Sequence, residues 1–251
     1  MYDIGDYTIV PSPRRVRTMF NGAVVADSRA MVLFFERPYP NYYFPKSDVR
    51  MDLLERSDRA GGDDPRGEKV FWHLTVGGRR AQDAAFTYRN PPTDRQADLD
   101  GYLTFDWPAM DAWFEEDDQI YVHARNPYHR VDAVRSSRHI RVAIDGIEVA
   151  NTNRPVLLWE TGLPTRYYIP RLDVRLDLLR PSDTVTRCPY KGIAETFSVE
   201  VGGALRRDHA WSYPVPIPEC PKIEGLICFY NERVDITEDG VPLDRPKTHF
   251  G

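Results

Sequence analysis

Residues 188–192 read Cys-Pro-Tyr-Lys-Gly, and this short run combines several residue types that could carry chemistry. Proline favours a turn and the final glycine can adopt a positive φ, so we predict that Lys191 projects from the tip of a loop. An exposed ammonium could bind an anion, while a solvated surface lysine is the simpler alternative. Cys188 could be a nucleophile if nearby cations lowered its pKa. We favour a small buried thiol, because the sequence offers only His209 as a neighbouring base.

Two other segments supply charged and aromatic side chains that could join this loop. Arginine and aspartate alternate with apolar residues along residues 171–177, and this period of two predicts a strand with its charged side chains on one face. Such a face could clamp a carboxylate or phosphate, or it could form an ion-pair ladder that adds little stability. The run Ala-Trp-Ser-Tyr at residues 210–213 places two rings on a common face. We therefore predict one ligand-binding cleft from these candidate residues: Arg171, Asp173, Arg175, Cys188, Tyr190, Lys191, Trp211 and Tyr213.

The elements that position these residues occur twice in the chain. Residues 42–54 and 167–179 are identical at nine of 13 aligned positions, and the spacing of 125 continues without a gap to residues 85–88 and 210–213. Abundant proline and aromatic residues favour short strands joined by turns. We predict an all-β fold with short helices, in which two tandem copies of a small antiparallel sheet or barrel domain occupy residues 14–125 and 138–245. A polar stretch around residues 126–130 is the predicted linker.

Local signals predict several turns and one short helix. Asn21-Gly22 and Asp145-Gly146 have the residue types that a type I′ hairpin turn requires. Gly77-Gly78 and Gly202-Gly203 lie between apolar runs and predict a second hairpin in each copy. Residues 108–116 begin with proline and predict a short helix.

The two copies differ at the loop that carries Lys191. Where copy two has Cys-Pro-Tyr-Lys-Gly, copy one has Asp63-Asp64-Pro65-Arg66-Gly67, although the framework residues around the loop are retained. One hypothesis is that copy two keeps a working site and copy one is structural, because the carboxylates of Asp63 and Asp64 would repel an anion. Ordinary drift is the alternative, since loops tolerate change.

Copy two resembles the family called domain of unknown function 427, which is also classified as nucleotidyltransferase-like. The resemblance rests on Tyr-Tyr-Ile-Pro-Arg at residues 167–171, on the Cys-Pro-Tyr-Lys-Gly run and on Ala-Trp-Ser-Tyr at residues 210–213. It covers essentially all of copy two and, more weakly, copy one. The resemblance implies a small β domain that is sometimes duplicated, and it implies no particular reaction. The chain has neither the Gly-Ser turn of common nucleotidyltransferase sites nor a glycine-rich phosphate loop, so nucleotidyl transfer rests on the family label.

Composition and charge narrow the classes of partner. The net charge is −5, and most arginine runs have acidic residues nearby, so we do not expect nucleic acid as a partner. No apolar run is long enough to cross a bilayer, and residues 1–10 lack the basic start of a signal peptide. We therefore expect a cytoplasmic protein that does not bind membranes. Three cysteines and scattered histidines predict free thiols, no metal site and no cofactor.

Two functions remain open at the level of the sequence. Cations beside aromatic walls suit a small anionic or ring-bearing ligand in copy two, with or without catalysis, although core packing explains most of the aromatic residues. The alternative is a non-catalytic interaction module in which the two copies pack together as a pseudo-dimer. We expect such pairing within the chain under either function, and the sequence leaves the oligomeric state open.

Overall fold

The computed structural model describes residues 8–36, 39–62, 64, 66–90 and 99–250. The chain divides into two units, unit 1 (Met1–Asn126) and unit 2 (Pro127–Gly251), and each is built from antiparallel strands and short 3₁₀ turns. This confirms the predicted all-β fold in two tandem copies. Within the described residues, no helix is long and apolar enough to span a membrane.

Unit 1 contains eleven strands in the part of the chain that the structure describes. They are β1 (Ile9–Pro11), β2 (Val16–Phe20), β3 (Ala23–Ser28), β4 (Val32–Phe35), β5 (Pro40–Pro45), β6 (Leu54–Arg56), β7 (Glu68–Val76), β8 (Arg79–Arg89), β9 (Tyr102–Phe105), β10 (Ala112–Glu115) and β11 (Asp118–Ile120). The 3₁₀ turns of unit 1 are Lys46–Asp48, Met51–Leu53 and Trp107–Ala109.

Unit 2 repeats this series. Its strands are β12 (Val131–Arg135), β13 (Ile140–Ile144), β14 (Ile147–Thr152), β15 (Val156–Glu160), β16 (Arg166–Ile169), β17 (Leu179–Cys188), β18 (Gly192–Val201), β19 (Ala204–Ser212), β20 (Ile227–Phe229), β21 (Asp235–Glu238) and β22 (Val241–Pro242). The 3₁₀ turns of unit 2 are Arg171–Asp173, Leu176–Leu178 and Pro221–Ile223.

Each unit folds its strands into one seven-stranded and one four-stranded sheet. The order in unit 1 is β1-β4-β5-β9-β8-β7-β6 and β11-β10-β2-β3. In unit 2 the order is β12-β15-β16-β20-β19-β18-β17 and β14-β13-β21-β22, which is the same topology shifted by eleven strands. The duplication seen in the sequence is therefore a duplication of the complete fold.

The predicted hairpins are present in both units. Asn21 and Gly22 have φ of 46° and 76° between β2 and β3, and Asp145 and Gly146 have φ of 52° and 77° between β13 and β14. Two successive positive φ angles are the signature of a type I′ turn. The paired glycines between β7 and β8, and between β18 and β19, have the same property.

Two local predictions are wrong. Residues 171–177 form two 3₁₀ turns instead of a strand, and Leu172, which the alternation would bury, is 88% exposed. Each turn closes with a backbone hydrogen bond of its own, such as that from Val174 N–H to the Arg171 carbonyl. Residues 108–116 are a turn followed by β10, because pairing of β10 with β2 and β11 overrides the local helical preference.

The seven-stranded sheet of unit 1 has two differently covered faces. One face packs against the four-stranded sheet around a main core that includes Phe20, Leu74 and Trp113. The other face, which we call the outer face, carries a second cluster that includes Tyr43 and Tyr88. Because side chains alternate along a strand, adjacent residues of β5 and β7 belong to different faces.

Unit 2 has the same arrangement. Tyr167 belongs to its main core, while Tyr168 belongs to the outer-face cluster together with Trp211 and Tyr213. The outer face therefore holds a second set of aromatic side chains beside the main core.

Candidate functional site

Lys191 lies at the outer face of unit 2, immediately before β18 begins at Gly192. Its exposed fraction is 8%, and its ammonium forms an ion pair with Glu160 at the end of β15. The prediction that Lys191 projects from a loop tip is therefore wrong. A buried carboxylate such as Glu160 requires a partner, and this requirement holds the lysine inward.

The surroundings keep this ion pair charged. Burial raises the pKa of Glu160, but the neighbouring His129 and Lys191 more than offset burial and leave that pKa below its ordinary value. Burial also opposes the charge of Lys191, yet the Cys188 and Glu160 side chains raise the pKa of Lys191 above its ordinary value. His129 Nε2 lies 3.0 Å from Glu160 Oε1. At neutral pH the Lys191 ammonium is therefore already engaged by a carboxylate.

Other predicted site residues adjoin the ion pair. Cys188 is half-buried against the outer-face cluster. Tyr190 stacks on His129 with ring centroids 4.0 Å apart. Tyr213 is buried, and burial followed by the proximity of Cys188 and Glu160 raises its pKa well above the ordinary value. These residues form one polar and aromatic group around a buried carboxylate.

Trp211 completes the outer-face group. Its indole N–H donates a hydrogen bond of 3.2 Å to the Tyr168 hydroxyl, and the ring centroids of Trp211 and Tyr230 are 4.4 Å apart. The structure thus brings five predicted residues to one face of unit 2: Cys188, Tyr190, Lys191, Trp211 and Tyr213.

Arg171, Asp173 and Arg175 do not join this group. The Arg171 guanidinium lies 6.0 Å from the ring centroid of Phe197, which faces the main core. Hydrogen bonds from Thr152 and Arg154 occupy the Asp173 carboxylate. Arg175 pairs with Asp177 at 2.6 and 2.8 Å in an exposed turn. The turn geometry that replaced the predicted strand places these three residues away from Lys191.

Unit 1 has a different set of charges at the equivalent place. Arg66 stands where unit 2 has Lys191, and its guanidinium bonds to Glu36 and to Asp64, in the latter case through Nε and Nη2 at 2.7 Å each. Arg66 therefore neutralises Asp64, which we had expected to repel an anion. Asp63, the other carboxylate of that expectation, lies outside the described residues.

A pocket opens beside these charges in unit 1, where we expected no site. Its volume is about 230 Å³. The lining side chains are polar, charged and aromatic: Glu36, Tyr39, Asn41, Arg66, Lys69, Phe86, Tyr88 and His123. Tyr39 and His123 stack with ring centroids 3.7 Å apart and form part of this lining.

Lys69 is the lysine of this pocket, and its ammonium contacts aromatic rings. The Lys69 Nζ lies 3.7 Å from the ring centroid of Phe86, 5.2 Å from that of Phe71 and 5.4 Å from that of Tyr88. Across the described ranges, Lys69 makes no side-chain hydrogen bond or ion pair. The equivalent position in unit 2 is Ala194, so this lysine belongs to unit 1 alone.

The charge of Lys69 is disfavoured by its surroundings. Burial lowers its pKa, and the neighbouring Arg66 lowers it further. Glu36 and Asp64 act in the opposite direction but do not restore the ordinary value, since Arg66 already pairs with both carboxylates. Lys69 is therefore the amine of this pocket that gives up its proton more readily than an ordinary lysine.

Comparison with known families identifies the family of this chain. A family model described as domain of unknown function (DUF427) matches residues 8–116 and, a second time, residues 132–240. The chain belongs to the DUF427 family. No curated protein matches its sequence.

The DUF427 matches include most residues of both outer faces, although His123 and His129 lie outside the matched ranges, so family membership does not choose between the two faces. Sequence reasoning on this DUF427 chain missed His129 and Lys69. A signal for Lys69 was present in the ungapped alignment of the two copies, where this charged residue within a strand aligns with an alanine of copy two. No comparable signal exists for His129, which precedes the aligned segments.

The cysteines and the possible metal ligands are the remaining groups that could carry chemistry. All three cysteines are free thiols. Burial raises the pKa of Cys220 to about 11 and that of Cys228 to about 12, so both are protonated at neutral pH. Among the residues described, no group of three or more His, Cys, Asp or Glu side chains is arranged to hold a metal ion.

Proposed function

We propose that unit 1 binds a small, ring-bearing carboxylate in its outer-face pocket. The observation that supports this is Lys69, an ammonium that lines a pocket and contacts rings instead of a carboxylate. An anion that reaches Lys69 gains a charge-assisted hydrogen bond, and a ring gains apolar contact with Phe86 and Tyr88. Together these contacts fix both ends of a small ligand.

The size and charge of the pocket restrict the ligand further. A volume of about 230 Å³ is below the roughly 300 Å³ at which pockets for drug-sized ligands begin. It suits one substituted ring better than a nucleoside triphosphate. Arg66 is occupied by Glu36 and Asp64, so Lys69 is the cation with the greater capacity for a new anion. One carboxylate per ligand therefore fits the site better than several phosphates.

The test is a thermal-shift screen of the full chain against aromatic carboxylates, nucleotides and uncharged rings, followed by calorimetry on each compound that raises the melting temperature. We expect single-ring carboxylates to stabilise the wild type, by about 2.7 kcal/mol at a ligand concentration of 100 Kd. Lys69→Met should weaken binding at least tenfold, because methionine keeps the apolar contacts and removes the charge.

Lys46→Met is the matched control. Lys46 also lies over an aromatic ring, 5.7 Å from the centroid of Trp72, but it interacts with Asp100 and does not line the pocket. We expect this variant to bind as the wild type does. Binding that survives in Lys69→Met would contradict the proposed site, and a screen without any stabilising compound would favour the interaction module.

The second candidate is the site that the sequence predicted in unit 2. Its support is the convergence of Cys188, Lys191 and Tyr213 on one outer face. A ligand anion there must compete with Glu160 for Lys191, which makes this site the weaker candidate. In the same screen, loss of binding in the double variant Glu160→Gln/Lys191→Met but not in Lys69→Met would assign the ligand to unit 2.

A further inference from the structure

We propose that Lys69 reacts covalently with a ring-bearing 2-oxo acid and holds it as an imine in the unit 1 pocket. This inference rests on the proposed function, because the ligand must first occupy the pocket. It adds the class of ligand and the bond that forms.

The position of the Lys69 amine meets the first requirement for such a reaction. Lys69 and Phe71 lie on the same side of β7, and Tyr88 is the direct cross-strand neighbour of Lys69 on β8. The amine therefore stands at the pocket wall with three rings around it, at 3.7 to 5.4 Å from their centroids. A ligand ring placed against Phe86 would bring its side chain to this nitrogen.

The second requirement is a neutral amine, since only the unprotonated form attacks a carbonyl. Burial is the largest influence on Lys69 and lowers its pKa, and the cations Arg66 and Arg59 act in the same direction. Glu36 and Asp64 oppose them, while the ring faces of Phe86 and its neighbours also favour the ammonium. The net effect of these charged groups and burial is a pKa below the ordinary lysine value.

A 2-oxo acid matches a site in which one lysine must serve two roles. The carboxylate first approaches the ammonium, which places the adjacent carbonyl carbon next to the same nitrogen. The ammonium gives one proton to solvent, and the neutral amine attacks that carbon: a C–N bond forms, the C=O π bond breaks, and a proton moves from the nitrogen to the oxygen. Return of a proton from solvent lets this oxygen leave as water, so one ammonium and one carbonyl give one protonated imine and one water. The positive imine stays beside the carboxylate and retains the ionic contact.

The other lysines provide internal controls. Lys191 is buried and engaged by Glu160, so it should not react. Lys247 is exposed and reports the reactivity of a solvated lysine, while Lys222 is exposed and donates a hydrogen bond of 2.9 Å to the Ala133 carbonyl. Lys46 is near a ring but interacts with Asp100.

The experiment treats the full chain with phenylpyruvate and sodium cyanoborohydride at pH 7.5, and it locates the reduced adduct by peptide mass spectrometry. We expect one adduct per chain, at Lys69, forming at least tenfold faster than adducts at Lys222 or Lys247. Lys69→Met should remove this adduct, and Lys46→Met should leave it unchanged. The rate of labelling at Lys69 should reach half its maximum at a pH below the ordinary pKa of a lysine amine.

Phenyllactate separates this inference from the proposed function, because it has the ring and the carboxylate but no carbonyl. Lys69-dependent binding of phenyllactate without a phenylpyruvate adduct at Lys69 would overturn the imine and leave the binding site standing. Absence of binding by both compounds would count against both proposals. Labelling spread equally over Lys69, Lys222 and Lys247 would also overturn the imine, since the pocket would then confer no reactivity.

Discussion

At the scale of single residues, two lysines on equivalent outer faces are held in opposite ways. Lys191 is paired with Glu160, whereas Lys69 contacts rings and forms no ion pair with a carboxylate among the described residues. The difference follows from the position at which copy two has Lys191 and copy one has Arg66. Arg66 takes Glu36 as its partner, and unit 1 then adds a second cation at the position where unit 2 has alanine. Pairing of charges therefore decides which lysine is available to a ligand.

Gly67 and Gly192 give a prediction at this scale. They are equivalent in the repeat and have φ of 112° and 106°, which strains any other residue. A Cβ at Gly67 would also overlap the carbonyl oxygen of Arg89, while at Gly192 the nearest atoms are 3.4 Å away. We expect Gly67→Ala to reduce the free energy of unfolding by roughly 3 kcal/mol or more, and Gly192→Ala by roughly 1–2 kcal/mol.

Thermal denaturation of both variants measures this difference. Gly22→Ala is the control, because its φ is 76° and its Cβ would meet open space, so its loss should not exceed that of Gly192→Ala. Gly67→Ala should also weaken ligand binding, since Arg66 would have to move with its neighbour. Equal losses at Gly67 and Gly192 would show that the overlap with Arg89 is relieved without cost.

At the scale of elements, the sequence was informative where structure is decided locally. The Asn-Gly and Asp-Gly turns were predictable because few residue types accept two positive φ angles in succession. The 3₁₀ turns at residues 171–177 were not predictable. Alternation of charged and apolar residues does not by itself show that the apolar residues are buried, and Leu172 is in fact exposed. The pairing of Lys191 was missed for a similar reason: Glu160 is 31 residues away in the chain. Predicting that contact requires the order of strands in the sheet.

A buried ion pair ties β16 to the segment that follows β20. Arg166, the first residue of β16, donates hydrogen bonds of 2.7 and 2.8 Å to Glu232. Burial raises the pKa of Glu232, but Arg166 and Thr248 more than offset burial and lower it to about 2. Removal of the carboxylate would leave the Arg166 guanidinium buried without a counter-charge.

We therefore expect Glu232→Gln to lower the free energy of unfolding of unit 2 by roughly 3–5 kcal/mol at pH 7. The pKa of Glu232 in the folded state is about 2 and its ordinary value is 4.5. The stabilisation is thus fully present above the ordinary value and is lost as the pH falls from about 4.5 towards 2. The melting temperature of the wild type should approach that of the variant over this window.

An exposed pair supplies the control for that measurement. Arg180 and Glu200 lie 2.6 Å apart with about half of each side chain exposed. Glu200→Gln should change stability by less than about 1 kcal/mol. A loss at Glu232 no larger than the loss at Glu200 would show that burial of the Arg166 pair adds nothing.

At the scale of the whole molecule, duplication preserved the framework and changed the charges. Both units keep the same strand order and both place aromatic residues on the outer face. On the outer face of unit 2, the buried ion pair of Lys191 and Glu160 lies beside Cys188. On the outer face of unit 1, Arg66 and Lys69 line a pocket. One scaffold thus presents two chemically distinct surfaces, and each is assembled from residues of a single unit.

Each unit also has its own core, which leads to the final prediction. In the part of the chain that the structure describes, the main core and the outer-face cluster of each unit consist of residues of that unit. A chain of about 125 residues buries roughly two-thirds of its surface on folding, which is enough for independent stability. We therefore expect residues 1–126 and residues 127–251 each to fold when expressed alone, with a cooperative thermal transition and a dispersed amide spectrum. The unit 1 fragment should keep ligand binding that depends on Lys69, and the unit 2 fragment should show none of it. If the unit 1 fragment is unfolded alone and gains structure only when the unit 2 fragment is added, then the pocket depends on the whole chain and independent folding is excluded.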